Sequence, residues 1–142
     1  MKWEDVAKDF SKINFTSVIV AGEGGLEEVE GLKTQKKRSF PCNERLKEIF
    51  KNRFDHTQKG YVFTGQVKDN PLNLGYVRKL WRKCLNELGI EYRKIYQCRH
   101  TFITLCLANG LPVQDVARLV GNSPEIIYRH YAGVSKVEIP EF

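Results

Sequence analysis

The sequence predicts an α+β domain, mainly helical, with a small three-stranded antiparallel sheet near its N-terminus. Three observations carry that expectation. Residues 13–42 contain runs dense in β-branched side chains, separated by glycines and a lysine-rich turn. From Asn43 onward the apolar residues recur at helical spacing. The helical stretches are bounded by Asn, Pro and Gly, the residue types that start and stop helices.

Taken in order, residues 1–12 read as the tail of a helix and a loop, with Trp3 and Val6 apolar in a charged stretch. INFTSVIV (13–20), LEEVEGLKT (26–34) and KRSFPC (37–42) supply the strands, with turn glycines in AGEGG (21–25) and a Lys-rich turn at TQKK (34–37). Leu46, Ile49, Phe50 and Phe54 then line one face of a helix of about three turns, which Asn43 caps. After a short apolar run at 61–63, Leu74, Val77, Trp81, Leu85 and Leu88 mark a second helix ending at Gly89. Its other face carries Arg78 with Arg82 and Lys79 with Lys83, two basic pairs at i, i+4 spacing. Three more helices are expected: 97–109 closed by Gly110, 112–120 with Pro112 in its first turn, and 124–132 with Pro124 in the same role. The tail 133–142 has spaced apolar side chains, which either pack back on the domain or dock on a partner.

At 142 residues the chain suits a single unit covering 1–142. An apolar fraction of 42% excludes intrinsic disorder. No stretch approaches the roughly 20 apolar residues of a membrane span, and the N-terminus lacks the apolar core of a signal peptide, so a cytoplasmic protein without a membrane partner is expected. Cys42, Cys84, Cys98 and Cys106 form no CxxC pair and read as free, mostly buried thiols. The net charge of +6 is unevenly spread: residues 1–30 hold three basic and seven acidic side chains, leaving 20 basic against 10 acidic in the remainder. A polyanion fits that second part.

The segment YQCRHTFITLCLANGLPVQDVARLVGNSPEIIYRHY (96–131) resembles the tyrosine recombinase family, which includes bacteriophage integrases and chromosome-dimer-resolving recombinases. The family pattern H-x-x-R-H-T/A-F/L opens a helix; here R-H-T-F-I-T is intact with Arg99 at the arginine, while Tyr96 stands at the histidine. The family then has a G-H or G-W pair, with the nucleophilic tyrosine nine residues beyond its second member. Here the pair is Gly121-Asn122, and nine residues on is Tyr131. Upstream, W-E-D-V and K-T-x-K-K-R-x-F-P match the hairpin that carries the family's lysine, which aligns with Lys33. The resemblance covers nearly the whole chain and implies the tyrosine recombinase catalytic fold. It also places the family's first catalytic arginine on a helix just upstream of this segment. The chain is therefore expected to be a partial catalytic domain, with the sheet at about 13–42, the helices at about 43–132 and the tail at 133–142.

The implied chemistry explains these residue types. Phosphoryl transfer from DNA to a tyrosine concentrates negative charge around phosphorus, which a planar guanidinium such as Arg99 stabilises through paired hydrogen bonds. A phenol ionises near pH 10, so Tyr131 needs a positive neighbourhood or a nearby base. Lys33 is the candidate acid for the departing 5′ oxygen. Tyr96 and Asn122 stand where the family has its phosphate-binding side chains, and Tyr96 can alternatively be an aromatic anchor. Lys36, Lys37, Arg38, Arg78, Lys79, Arg82 and Lys83 are the expected DNA-docking residues; Lys36 and Lys37 can also belong to a solvated turn. His100 is read as structural, and His130 as incidental. No metal or nucleotide cofactor is implied.

The resemblance implies double-stranded DNA as partner, a tetramer on DNA assembled through the C-terminal tail, and a bacterial or phage-derived, nucleoid-associated protein of a mobile element. Two other readings remain open. Residues 113–131 resemble a helix-turn-helix, in which Arg129 and Tyr131 would contact DNA without chemistry. A degenerate recombinase remnant would bind without cutting.

Overall fold

The computed structural model describes residues 1–22, 25–31, 37–56, 58–65, 70–131 and 133. They fall into two compact units, Met1–Val77 and Arg78–Phe142.

The first unit is built around an aromatic cluster. Val6, Ile13, Cys42, Phe50 and Val62 are buried together, with Trp3, Phe10, Phe15, Phe40 and Leu46 packed against them. Trp3 presents its ring edge-on to Phe10, Phe50 and Phe54 at centroid distances of 6.4, 6.3 and 5.0 Å, the geometry that ring quadrupoles favour. Instead of a helix tail, residues Trp3–Asp5 form one 3₁₀ turn. The Asp5 carboxylate accepts the Lys2 amide at 2.7 Å, and Val6 then pairs with Ile13 as an isolated bridge, so the chain turns extended after a single turn.

The predicted three-stranded sheet resolves into two two-stranded antiparallel ribbons among the described residues. β1 (Lys12–Phe15) pairs with β4 (Arg38–Pro41), placing Ile13 opposite Phe40, whereas β2 (Ser17–Gly22) pairs with β3 (Gly25–Glu30), placing Val18 opposite Val29. The run read as one strand changes partner at Thr16. There the Thr16 carbonyl accepts the Gly31 amide at 2.8 Å. Gly31 itself sits at φ +91°, a left-handed conformation that turns the chain out of the β3 ladder. The turn at 34–37 lies outside the described residues except for Lys37.

α1 (Glu44–His56) begins as expected: Asn43 Oδ1 accepts the Leu46 amide at 3.0 Å, and Phe50 faces the core at 2% exposure. Arg53 reaches from this helix to the Val62 carbonyl at 2.8 Å, fixing the apolar run at 61–63. α2 (Leu74–Glu87) starts on Asn73, whose side-chain oxygen accepts the amides of Gly75 and Tyr76 at 2.8 and 3.2 Å.

The second unit packs three helices: α3 (Gln97–Ala108), α4 (Val113–Val120) and α5 (Pro124–Tyr131). Ile103, Leu107, Val116, Ala117, Val120 and Ile127 form its core, with Phe102, Cys106, Val113 and Tyr131 packed against it. Between α4 and α5 the chain reverses at Gly121, whose φ of +70° a side chain would oppose, and its amide returns to the Ala117 carbonyl at 2.8 Å. Pro112 stands one residue before α4, and Pro124 is the first residue of α5. Of the four cysteines only Cys42 is buried; Cys106 is half-buried, and Cys84 and Cys98 are exposed, contrary to the expectation of mostly buried thiols. No helix among the described residues is long and apolar enough to cross a membrane.

The core assignment predicts a contrast between sequence neighbours. Ile127 is fully buried while Ile126 is 42% exposed. Ile127→Ala is expected to destabilise by about 2–5 kcal/mol, and Ile126→Ala by roughly 0.5 kcal/mol or less. Urea denaturation of the two variants checks this; equal losses would contradict the assigned face of α5.

Candidate active site

The site is assembled at the N-terminal end of α3. Tyr96 immediately precedes the helix but already has helical dihedrals, φ −61° and ψ −20°. Tyr96, Arg99 and His100 therefore occupy i, i+3 and i+4 positions and share one helix face. The Tyr96 ring stands edge-on to the His100 ring at 5.2 Å between centroids, and the Arg99 guanidinium lies 5.9 Å from the Tyr96 ring centre. Tyr96 is exposed, whereas Arg99 and His100 are half-buried.

α5 brings Tyr131 to this face. Ile127, four residues earlier on the same helix, is fully buried, and Tyr131 packs at the edge of the same cluster. The Tyr131 hydroxyl and His100 Nδ1 form a hydrogen bond, with the two rings 5.8 Å apart and inclined at 33°. Burial pushes the Tyr131 phenol above the ordinary tyrosine range, and the neighbouring Tyr96 phenol adds to that shift. The Arg99 guanidinium acts in the opposite sense by favouring the phenolate. The arrangement thus holds a neutral phenol in contact with an imidazole nitrogen, with a guanidinium nearby.

Three of the sequence-derived residues, Tyr96, Arg99 and Tyr131, are brought together. Asn122 lies in the α4–α5 turn, half-buried, with its amide on the Ala117 carbonyl at 3.0 Å. Lys33 and Lys36 lie outside the described residues. Lys37 is exposed, and Arg38 places its guanidinium 4.8 Å from the centre of the Phe15 ring. On α2, Arg78, Lys79, Arg82 and Lys83 are all exposed; Lys83 pairs with Glu87 at 3.6 Å, and Arg82 stacks over Tyr92 at 5.1 Å.

His100, expected to be structural, is the residue that contacts the Tyr131 hydroxyl. A signal for it was present. His100 follows Tyr96 by four positions, one helical turn, so a side chain at either position faces the same point.

A profile of the phage integrase family matches residues 1–138. Among curated proteins, a XerC-like tyrosine recombinase of Caldanaerobacter subterraneus subsp. tengcongensis is 38% identical over 66 residues, which is 46% of this chain and 17% of that protein. A probable integrase/recombinase of Acholeplasma phage L2 is 23% identical over 92 residues, 64% of this chain and 32% of that protein. Among solved structures, the Tn1549 transposon integrase in complex with circular intermediate DNA superposes with a TM-score of 0.77 at 14% identity, covering 98% of this chain and 49% of that one. A second complex of that integrase with a circular intermediate DNA gives a TM-score of 0.75 at 19% identity, covering 92% and 47%. At these identities the structural likeness concerns the fold. The chain spans about half the length of those integrase chains and a third or less of the curated relatives.

The opposing influences on Tyr131 predict a titration order. In the DNA-free chain Tyr131 should ionise at higher pH than an ordinary tyrosine. Arg99→Gln removes the group that favours the phenolate, so it should raise the Tyr131 midpoint further. Carbon-13 NMR of the tyrosine ring carbons, with Tyr131→Phe for assignment, measures both. A midpoint that falls in Arg99→Gln would contradict the electrostatic account.

Proposed function

The chain belongs to the phage integrase family, and on that premise we propose that it forms part of the catalytic domain of a tyrosine-type site-specific recombinase. In this reading it cuts and rejoins double-stranded DNA through a 3′-phosphotyrosine intermediate. The observation that carries the proposal is the Tyr131 hydroxyl bonded to an imidazole, with the Arg99 guanidinium close enough to bias its ionisation.

In the proposed reaction the Tyr131 oxygen attacks the DNA phosphorus and displaces the 5′ oxygen. Arg99 stabilises the charge that gathers on the non-bridging oxygens, an effect worth about 100-fold or more for one preorganised donor. Tyr96 and Asn122 take the places where the family has other hydrogen-bonding side chains, and Lys33 is the proposed proton donor to the leaving oxygen. Because the phosphotyrosine ester keeps the energy of the broken strand, the freed 5′ hydroxyl can reverse the step and reseal DNA. The reaction balances with the protein's own groups and water, without a metal or nucleotide.

The proposal extends to the surroundings of the site. Lys36, Lys37 and Arg38, and the exposed Arg78, Lys79, Arg82 and Lys83 of α2, dock the DNA backbone. Residues 134–142 join copies into a tetramer on DNA, and the protein works in the cytoplasm on the nucleoid in integration or excision of a mobile element. A plain helix-turn-helix reader is less well supported, because Tyr131 packs against the core instead of standing free on α5.

Covalent trapping tests the chemistry. The protein, alone and together with the family's upstream arginine helix, is incubated with a pool of nicked suicide duplexes. With the arginine helix supplied, a protein–DNA adduct is expected with the wild type and with Tyr128→Phe, and none with Tyr131→Phe; the 142-residue chain alone is expected to be impaired by about 100-fold or more. An adduct that survives Tyr131→Phe but disappears in Tyr128→Phe would place the nucleophile one helical turn earlier. The docking proposal makes a separate prediction: affinity for duplex DNA should fall steeply between about 50 and 200 mM salt as counterions are released. Charge removal at Arg78 and Arg82 should flatten that dependence, and a flat dependence in the wild type would rule out the basic face as the docking surface.

A further inference from the structure

The family pattern puts a histidine at position 96, where this chain has Tyr96, and gives no chemical role to the residue after the arginine. Yet an imidazole is present at the site. His100 lies one helical turn beyond Tyr96 on the same face, and its Nδ1 meets the hydroxyl of Tyr131. From this juxtaposition we infer that His100 is a catalytic residue, whose Nδ1 takes the phenolic proton as Tyr131 attacks phosphorus. The inference rests on reading Tyr131 as the nucleophile.

The surroundings suit that role. Tyr131 is half-buried, so its phenolate is poorly solvated and a proton acceptor in direct contact replaces water. On α3, Tyr96 stands edge-on to the imidazole and Arg99 lies one residue before it. α4 contributes Asp115 and Arg118, which pair with each other at 2.7 Å. α5 carries Glu125, Arg129, His130 and Tyr131, and of these Tyr131 makes the hydrogen bond with Nδ1. The role requires the neutral imidazole with its proton on Nε2, leaving the Nδ1 lone pair to accept from the phenol.

The step balances. The bond from the Tyr131 oxygen to phosphorus forms as its proton moves to Nδ1, and the bond from phosphorus to the 5′ oxygen breaks. The 5′ oxygen leaves with a proton from the general acid, for which Lys33 is proposed. On rejoining, the 5′ hydroxyl attacks and returns its proton to that same group, while the imidazolium returns its own to the departing Tyr131 oxygen.

A test on the 142-residue chain needs no DNA target. A small arylsulfonyl fluoride, which forms a stable ester with an activated phenol, is applied across a pH series, and labelling of Tyr131 is compared with that of exposed Tyr128 by peptide mass spectrometry. In the wild type, Tyr131 should label faster than Tyr128 at neutral pH and reach a plateau below the pH range where phenols ionise. His100→Gln should slow Tyr131 by about 100-fold and abolish the plateau. His100→Ala should be slowed similarly, and added imidazole should restore it, which a merely structural role for the ring would not allow. Nitrogen-15 NMR of the wild type provides a second measurement independent of probe access, with Nδ1 expected to be the unprotonated nitrogen at neutral pH. Unchanged labelling in His100→Gln, a slowed variant that keeps the plateau and ignores imidazole, or a proton resident on Nδ1 would each overturn the inference. Covalent trapping on DNA decides the recombinase reading separately: wild-type labelling that depends on His100, with no DNA adduct even when the upstream arginine helix is supplied, would sustain the pair as a proton relay and sink the recombinase assignment.

Discussion

The geometry of the candidate site follows from the apolar packing of α3, α4 and α5 around Ile103 and Ile127. Both side chains are essentially excluded from water, and burial of each contributes about 1.5–3 kcal/mol. The hydrogen bond between Tyr131 and His100 contributes only about 0.5–1.5 kcal/mol. The apolar term is therefore the one that fixes where α5 lies against α3, and the polar contact orients what the packing delivers. Ile103 stands three residues after His100, and Ile127 four residues before Tyr131, so each functional side chain is one turn from a buried anchor on its own helix. Gly121 makes the arrangement possible, since its left-handed conformation reverses the chain between α4 and α5 within three residues.

Packing and reactivity pull in opposite directions at Tyr131. The burial that positions the phenol also penalises its ionised form, and the nearby Tyr96 phenol does the same. Arg99 offsets part of this, its guanidinium favouring the phenolate. A DNA phosphate entering the site would draw on that same guanidinium. In the proposed reaction the cation then serves the phosphoryl oxygens, and a separate acceptor for the phenolic proton becomes useful. The imidazole in contact with the hydroxyl is the group in reach.

Much of this was legible in the sequence because it depends on local rules. Asn43 caps α1, glycines follow α2, α3 and α4, and the helical spacing of apolar residues marks Phe50 and Leu85, which are buried, although Ile49, Leu74 and Leu88 of the same runs are exposed. The juxtaposition of Arg99 with Tyr131 is what the family resemblance implied. Strand pairing was harder, because β-branched residues favour extended chain without choosing a partner; the exchange at Thr16 depends on a long-range bond to Gly31. The N-terminal residues form a single turn because of the Asp5 carboxylate, a contact that apolar periodicity does not report. His100 was passed over because motif matching weights the positions a family names, whereas the contact is decided by which helix face meets α5. Cys84 and Cys98 are exposed since each lies on the outer side of its helix, although cysteine is on average a buried residue.

The central claim is that the oxygen of Tyr131 becomes bonded to DNA phosphorus. The most direct measurement is the identity of the amino acid that stays linked to a nucleotide after a trapped complex is digested with nuclease and protease and the remaining peptide is sequenced by mass spectrometry. The account predicts a phosphodiester on Tyr131 within the peptide of α5. A nucleotide carried by Tyr128, by Tyr96 or by a serine, or a complex that releases its DNA intact on denaturation, would contradict it.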